Sequence, residues 1–179
     1  FESIFSSAVT GNILFSDTNN LTDNLPLIGQ EYISLKIVTP GLESTDRVID
    51  FTENVFCLYE VGLRQSTGPA AEIVEVRFCS PELLRNERVR VSKSFEDTTD
   101  EIVKEVLQNP KLINTKKQIF VEKTSGIRKV VSPNYHPFKF IENLARESIS
   151  IHDNSPHFLF YENIDGFHFR TIQSLYSQG

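Results

Sequence analysis

Four histidines, His136, His152, His157 and His168, carry the most chemical latitude in this 179-residue chain. Three of them fall within seventeen residues, beside Asp153, Glu162 and Asp165. Imidazoles and carboxylates are what a zinc or similar site would draw on. The spacing argues otherwise. No pair matches a recognised ligand spacing, and His157 and His168 alternate with Phe158, Phe160, Phe167 and Phe169. On paired strands the two imidazoles then lie opposite the rings, facing solvent or a partner. His136 precedes Pro137, which biases it to extended backbone ahead of a helix and gives it a capping or packing role. The acids Glu96-Asp97 and Asp100-Glu101 surround a predicted helix start, where the helix dipole stabilises negative charge. A glycosidase would need two carboxylates roughly 5 to 9 Å apart across a cleft, and nothing in the sequence marks out such a pair. No catalytic, cofactor-binding or metal-ligating residue is assigned.

Other devices are missing from the sequence. There is no GxGxxG, no GxxxxGK followed by Ser or Thr, no GxSxG and no HExxH. The basic residues Arg85, Arg88, Arg90 and Lys93 form one cluster, with Arg88 and Arg90 flanking Val89 on a prospective strand face. A charged strand edge discourages sheet-to-sheet aggregation, and the same residues could meet an acidic partner surface. The formal charge is -6, and it is uneven: residues 1–60 carry nine acids against Lys36 and Arg47, whereas residues 61–179 are close to balanced. Nucleic-acid affinity rests on Lys and Arg neutralising phosphates, so nucleic acid is not an expected partner. No apolar run reaches the roughly 20 residues of a membrane-spanning helix, and membrane insertion is not expected.

The elements that must position these residues read as two kinds. Asn12–Ser16, Glu31–Thr39, Arg47–Phe51, Val55–Arg64 and Ala70–Phe78 are rich in β-branched and aromatic residues and predict antiparallel strands forming a small β-barrel or sandwich. The turn-forming run Asp17–Pro26 predicts a loop with one helical turn. A hairpin turning at Gln65–Pro69 would set Cys57 nearly opposite Cys79, which leaves both a cross-strand disulfide and two buried thiols open. After Cys79 the period changes. Ser80-Pro81 reads as N-cap and first residue of a short helix, and Thr98-Thr99-Asp100-Glu101 fits a capping box ahead of the apolar stripe Ile102, Val103, Val106 and Leu107, stopped by Pro110. A further helix starts at Pro137 and buries Phe138, Ile141, Leu144 and Ala145. Gln118–Lys123 and Ile127–Val131 flank Thr124-Ser125-Gly126 and read as a hairpin, and Phe158–Phe160 with Phe167–Phe169 read as a second one turning at Asp165-Gly166. The fold class is α+β: an antiparallel β-barrel over residues 1–80, then a mixed α/β domain over residues 81–179. No repeat or low-complexity tract interrupts it.

Two stretches are similar to a known family. Gly11-Asn12-Ile13-Leu14-Phe15-Ser16-Asp17, with Asn20-Leu21 and Leu25-Pro26-Leu27-Ile28-Gly29-Gln30-Glu31, resembles the opening of the first tube domain of baseplate hub proteins from contractile-tailed bacteriophages. Tyr135-His136-Pro137-Phe138-Lys139-Phe140-Ile141-Glu142-Asn143-Leu144-Ala145, then Phe158-Leu159-Phe160-Tyr161-Glu162-Asn163, Gly166-Phe167-His168-Phe169 and Ser174-Leu175-Tyr176, resembles the α/β domain inserted in those hubs. The resemblance implies a structural virion protein with no enzymatic activity and no cofactor. It implies a tube-like barrel that is the first of two, an incomplete insert, and a homotrimer of the full-length protein whose paired barrels form a six-fold-like ring. That ring would join the tail tube protein to the central spike protein in the baseplate, after assembly in the host cytoplasm. The chain contains no Met, so a piece of a longer protein is expected. The base of a type VI secretion spike is the related alternative, and a cell-wall hydrolase component, with Glu162 or Asp165 as its acids, is the third.

Overall fold

A computed structural model of the chain describes residues 1–19, 24, 27, 29–38, 48–68 and 71–177. Its backbone divides into two units, one of Phe1 with Thr10–Pro81 and one of Glu2–Val9 with Glu82–Gly179. The predicted helical turn within Asp17–Pro26 falls largely outside the described residues.

In the first unit, strands β1 (Thr10–Asp17), β2 (Tyr32–Ile33), β5 (Phe56–Gly68) and β6 (Ala71–Cys79) form an antiparallel sheet ordered β1-β6-β5-β2. The period-2 pattern of β6 shows why: Val74, Val76 and Phe78 turn inward while Ile73, Glu75 and Arg77 stay partly exposed. Leu58, Val74 and Val76 form the core with Ile13, Phe15, Ile33 and Val61 against them, and Phe51, Phe56 and Phe78 stack edge-on beside it. Three register shifts in β5 against β6 bend that strand. The hairpin closes at Gly68↔Ala71, later than the predicted turn, and the accumulated shifts bring the buried Cys57 and Cys79 directly opposite each other. The expected Glu31–Thr39 strand is broken. Tyr32–Ile33 pairs with β5, whereas β3 (Lys36–Val38) leaves the sheet and pairs with β4 (Val48–Asp50). Because β2 is so short and β1 and β2 are both edges, the described residues form an open, curled sheet and not the closed barrel expected from the sequence.

The second unit is α+β. It contains α1 (Pro81–Arg88), β7 (Ser94–Thr98), α2 (Thr99–Gln108), β8 (Gln118–Val121), β9 (Ile127–Val131), α3 (Pro137–Glu147), β10 (Phe158–Asn163), β11 (Gly166–Thr171) and α4 (Ile172–Tyr176). Its core joins Ile102, Val103, Val106 and Leu107 of α2, Phe138, Phe140, Ile141, Leu144 and Ala145 of α3, and Phe158, Phe160, Phe167 and Phe169 of the β10–β11 hairpin. The aromatic hairpin forms as its alternation predicts, closing at Asn163↔Gly166 with Ile164-Asp165 as the two loop residues, one position earlier than the expected turn. Gly166 has φ 139°, and a Cβ there would sit 2.2 Å from the Gln118 carbonyl oxygen. Only glycine lets β11 lie this close to β8.

Three local expectations fail. Gln118–Lys123 and Ile127–Val131 do not form a hairpin: β8 pairs parallel with β11, and β9 pairs antiparallel with β7. Local turn chemistry around Gly126 is satisfied by the bend, but the strand partners are chosen by burial of Phe167, Phe169 and Phe95. Ser80 caps nothing, since its buried hydroxyl makes no hydrogen bond among the described residues. Thr98 likewise makes no side-chain cap bond, and the start of α2 is tied down instead through Asp100, whose N–H donates to Thr124 Oγ1 at 3.1 Å.

Candidate functional site

The chemistry-bearing residues do not converge on one point. Among the described residues no group of three His, Cys, Asp or Glu side chains could hold a metal ion. Nor is any described helix long and apolar enough to cross a membrane. His136 stands at the N-cap of α3 without a side-chain cap, its Nδ1–H donating to the Asn86 carbonyl at 2.8 Å, while Asn86 Oδ1 accepts the Phe138 N–H at 2.8 Å. The basic cluster is dispersed. Arg85 donates to the carbonyls of Pro110 and Leu112, Lys93 pairs with Glu105 and lies over the Phe95 ring, and Val89 is not in a strand. Glu96 and Asp97 lie exposed on β7, and Asp100 is buried. Lys123 Nζ lies 2.9 Å from Asp100 Oδ2, and Thr124 Oγ1 donates to Asp100 Oδ1 at 3.0 Å. Burial alone would raise this carboxyl, but the bonds from Lys123, Thr98 and Thr124 outweigh it and hold the pKa at about 2.

Glu162 is not a surface acid. Its side chain is 1% exposed, and one oxygen accepts from Lys117 Nζ while the other accepts the Val9 N–H at 2.9 Å. Lys117 also donates to Glu82 Oε2 at 2.9 Å, and Thr115 Oγ1 donates to Glu82 Oε1 at 2.7 Å. Burial would lower the Lys117 pKa, yet Glu162 and Glu82 together hold it above its ordinary value. Glu162 N–H donates to the Ser6 carbonyl at 3.3 Å, and Ala8 enters the core of the same unit. The network therefore fixes residues 2–9 to β10. Sequence reasoning missed Lys117 and Glu82 because nothing local distinguishes a buried lysine from an exposed one. Glu162 could have been found from its place: its neighbours Phe160 and Tyr161 announce a covered strand.

His168 is also misread from alternation alone. It does lie on the face opposite Phe167 and Phe169, but that face is covered at this point and the imidazole is buried. Cross-strand register sets Tyr161 of β10, His168 of β11 and Phe120 of β8 in one row. Their rings stack at centroid separations of 4.8 and 4.6 Å and interplanar angles of 4° and 12°. His168 Nε2 lies 2.8 Å from Asn163 Oδ1, an amide oxygen that also accepts from Asp165 N and Gly166 N, so Nε2 carries the proton. Burial, helped by Arg170, keeps the imidazole pKa below its ordinary value. His152 and His157 stay exposed, as do Asp153 and Asp165.

The row opens onto a cleft of about 540 Å³ lined by Phe120, Val121, Glu122, His152, Asp153, Arg170, Ser174 and Ser177. Glu122 accepts from Ser150 Oγ at 2.6 Å, from Thr171 N at 2.9 Å and from Thr171 Oγ1 at 3.0 Å. Burial would raise its pKa, but these hydrogen bonds keep it lowered, so the carboxylate stays charged. Glu122, Asp153 and Arg170 bring charge to the cleft, and the Ser174 hydroxyl is among the hydrogen-bond partners of the Glu122 carboxylate.

The fold is similar to that of a phage tail protein. It superposes with a TM-score of 0.55 on the 43 kDa tail protein of prophage MuSo2 from Shewanella oneidensis, at 9% sequence identity, over 94% of this chain and 48% of that one. In sequence, the chain is 26% identical over 176 residues to the probable baseplate hub protein gp334 of Vibrio phage KVP40, covering 98% of this chain and 40% of that protein. The alignment to this probable hub protein thus covers almost the whole chain, although the chain spans less than half the length of that relative. No family model matches.

Proposed function

We propose that the chain is part of a structural subunit of a phage tail baseplate, within its central hub. The alignment of 98% of the chain to a probable baseplate hub protein is the observation that carries this reading. The fold shared with a phage tail protein agrees with it. In this reading the full-length protein is a homotrimer in the virion, with the Thr10–Pro81 sheet continuing toward the tail tube protein and the hub seated on the central spike protein. Its work is positional. Glu162 has both oxygens engaged by Lys117 and Val9, which supports a structural and not a hydrolytic carboxylate. The test is native mass measurement of the full-length protein, alone and with the tail tube and spike proteins from the same genome. A trimer that binds both is expected. A monomer that binds neither, or that cleaves peptidoglycan through Glu162 or Asp165, would overturn it.

A further inference from the structure

The aromatic row in the second unit ends on an edge strand. In the sheet ordered β10-β11-β8, Tyr161 is buried at one end and Phe120, at the other, remains 38% exposed and lines the cleft. One face of the Phe120 ring stacks on His168, and no ring lies on its other face among the described residues.

The backbone beside it is open in the same direction. Glu122 N–H donates to Phe169 O, so even-numbered residues of this segment turn their amide groups toward β11 and odd-numbered ones turn away. Just past β8 the outward groups are used: Lys123 O accepts from Ile151 N, Ser125 N donates to Ile149 O, and Thr124 bridges Ser150 antiparallel. The chain then turns off through Ile151–Asp153. Ile119 and Val121, the outward-facing residues of β8 itself, have no ladder partner on that side among the described residues. Phe120 and Glu122 consequently occupy the non-hydrogen-bonded positions of this edge, where the side chain of an incoming strand approaches most closely. Glu122 contributes a charge with no cation within salt-bridge distance among the described residues; its partners are hydroxyl and amide donors.

We propose that β8 is a docking edge for an extended segment of another protein, one that adds antiparallel to β8, lays an aromatic side chain on the open face of Phe120 and sets a Lys or Arg opposite Glu122. Main-chain bonds to Ile119 and Val121 supply affinity, and the two side-chain positions supply selection. In an antiparallel partner the basic residue comes two positions before the aromatic one. This site is independent of the hub reading, which does not specify it.

The test titrates the capped peptide Thr-Thr-Lys-Thr-Trp-Thr-Thr into the 179-residue chain and follows amide shifts. Saturable shifts at Ile119, Val121 and Glu122 are expected, with slowed exchange of the Ile119 and Val121 amides. Replacing Trp by Thr, Lys by Glu, or N-methylating the two Thr residues beside Trp should each weaken binding by about tenfold or more. These arms leave the protein unaltered, and Phe120→Leu supplies the reciprocal change. Absence of saturable shifts up to millimolar peptide overturns the docking edge. Equal binding of the N-methylated or Trp-free peptide overturns strand addition or the stacked ring, and equal binding of the Glu peptide overturns the role of Glu122.

Discussion

Among the described residues of the Thr10–Pro81 unit the ion pairs lie at the surface, with Lys36–Asp50 at 3.2 Å and Arg77–Glu60 at 3.0 Å, each partner roughly half exposed. In the other unit Lys117 sits buried between Glu82 and Glu162, and Asp100 is buried under Lys123 and Thr124. The cores differ in size. Both units leave apolar side chains exposed, among them Leu14, Tyr32, Ile37, Val38, Ile49, Tyr59 and Leu63 in the first and Phe120, Ile127, Val131, Ile149 and Ile151 in the second, but the second packs α2, α3 and the aromatic hairpin into one large core. Exposed ion pairs contribute about 0–1 kcal/mol each, while a buried charge must be fully partnered. The second unit is thus specified by its interior. The first rests on a smaller core, Leu58, Val74 and Val76 with the side chains packed against them.

The largest expected effect strikes that interior. Lys117→Ala strands two buried carboxylates and should cost about 3–5 kcal/mol, read by urea unfolding and by loss of exchange protection at the Phe167 and Phe169 amides. A loss below about 1 kcal/mol would place the network in solvent and collapse the contrast between the units. Gly166→Ala follows, at about 2–3 kcal/mol, because a side chain there is strained and meets the Gln118 carbonyl; the Phe120–His168 stack should loosen with it, visible in the Phe120 ring shifts. Asp100→Asn should cost about 2 kcal/mol near neutral pH. Because the folded pKa of about 2 lies below the ordinary 3.8, this stability is present above about pH 4 and lost as pH falls toward 2. Wild type and variant should therefore converge in acid unfolding over that interval, and a constant gap would remove Asp100 from the linkage. The smallest effect belongs to the first unit. Ile37→Ser with Ile49→Ser on the β3–β4 ladder should change stability by less than about 0.5 kcal/mol each in the isolated chain, while reducing association in the full-length protein. A large stability loss would show that these residues are core.

Much of the second unit was legible because its signals are local and redundant. The alternating rings Phe158, Phe160, Phe167 and Phe169 gave the hairpin, and Pro137 with Phe138, Ile141 and Leu144 gave α3. The site was less legible. His168 obeys its alternation, but period-2 logic says only which face a side chain takes, not whether that face is covered. Lys117 and Glu82 lie 35 positions apart and carry no pattern linking them. In the first unit the even alternation of residues 32–38 predicted one strand, and it could not reveal that Ile37 pairs with Ile49 outside the main sheet.

The sequence by itself determined the α+β class, the aromatic hairpin and the two main helices, since periodicity is encoded within a few residues, and its motifs carried the likeness to phage hubs. Tertiary structure alone decided that β8 runs parallel beside β11, that Glu162 holds Val9 through a buried lysine pair, and that Tyr161, His168 and Phe120 stack. Each of these needs residues far apart in the chain to choose one another, and that choice is made by burial, which no local pattern records.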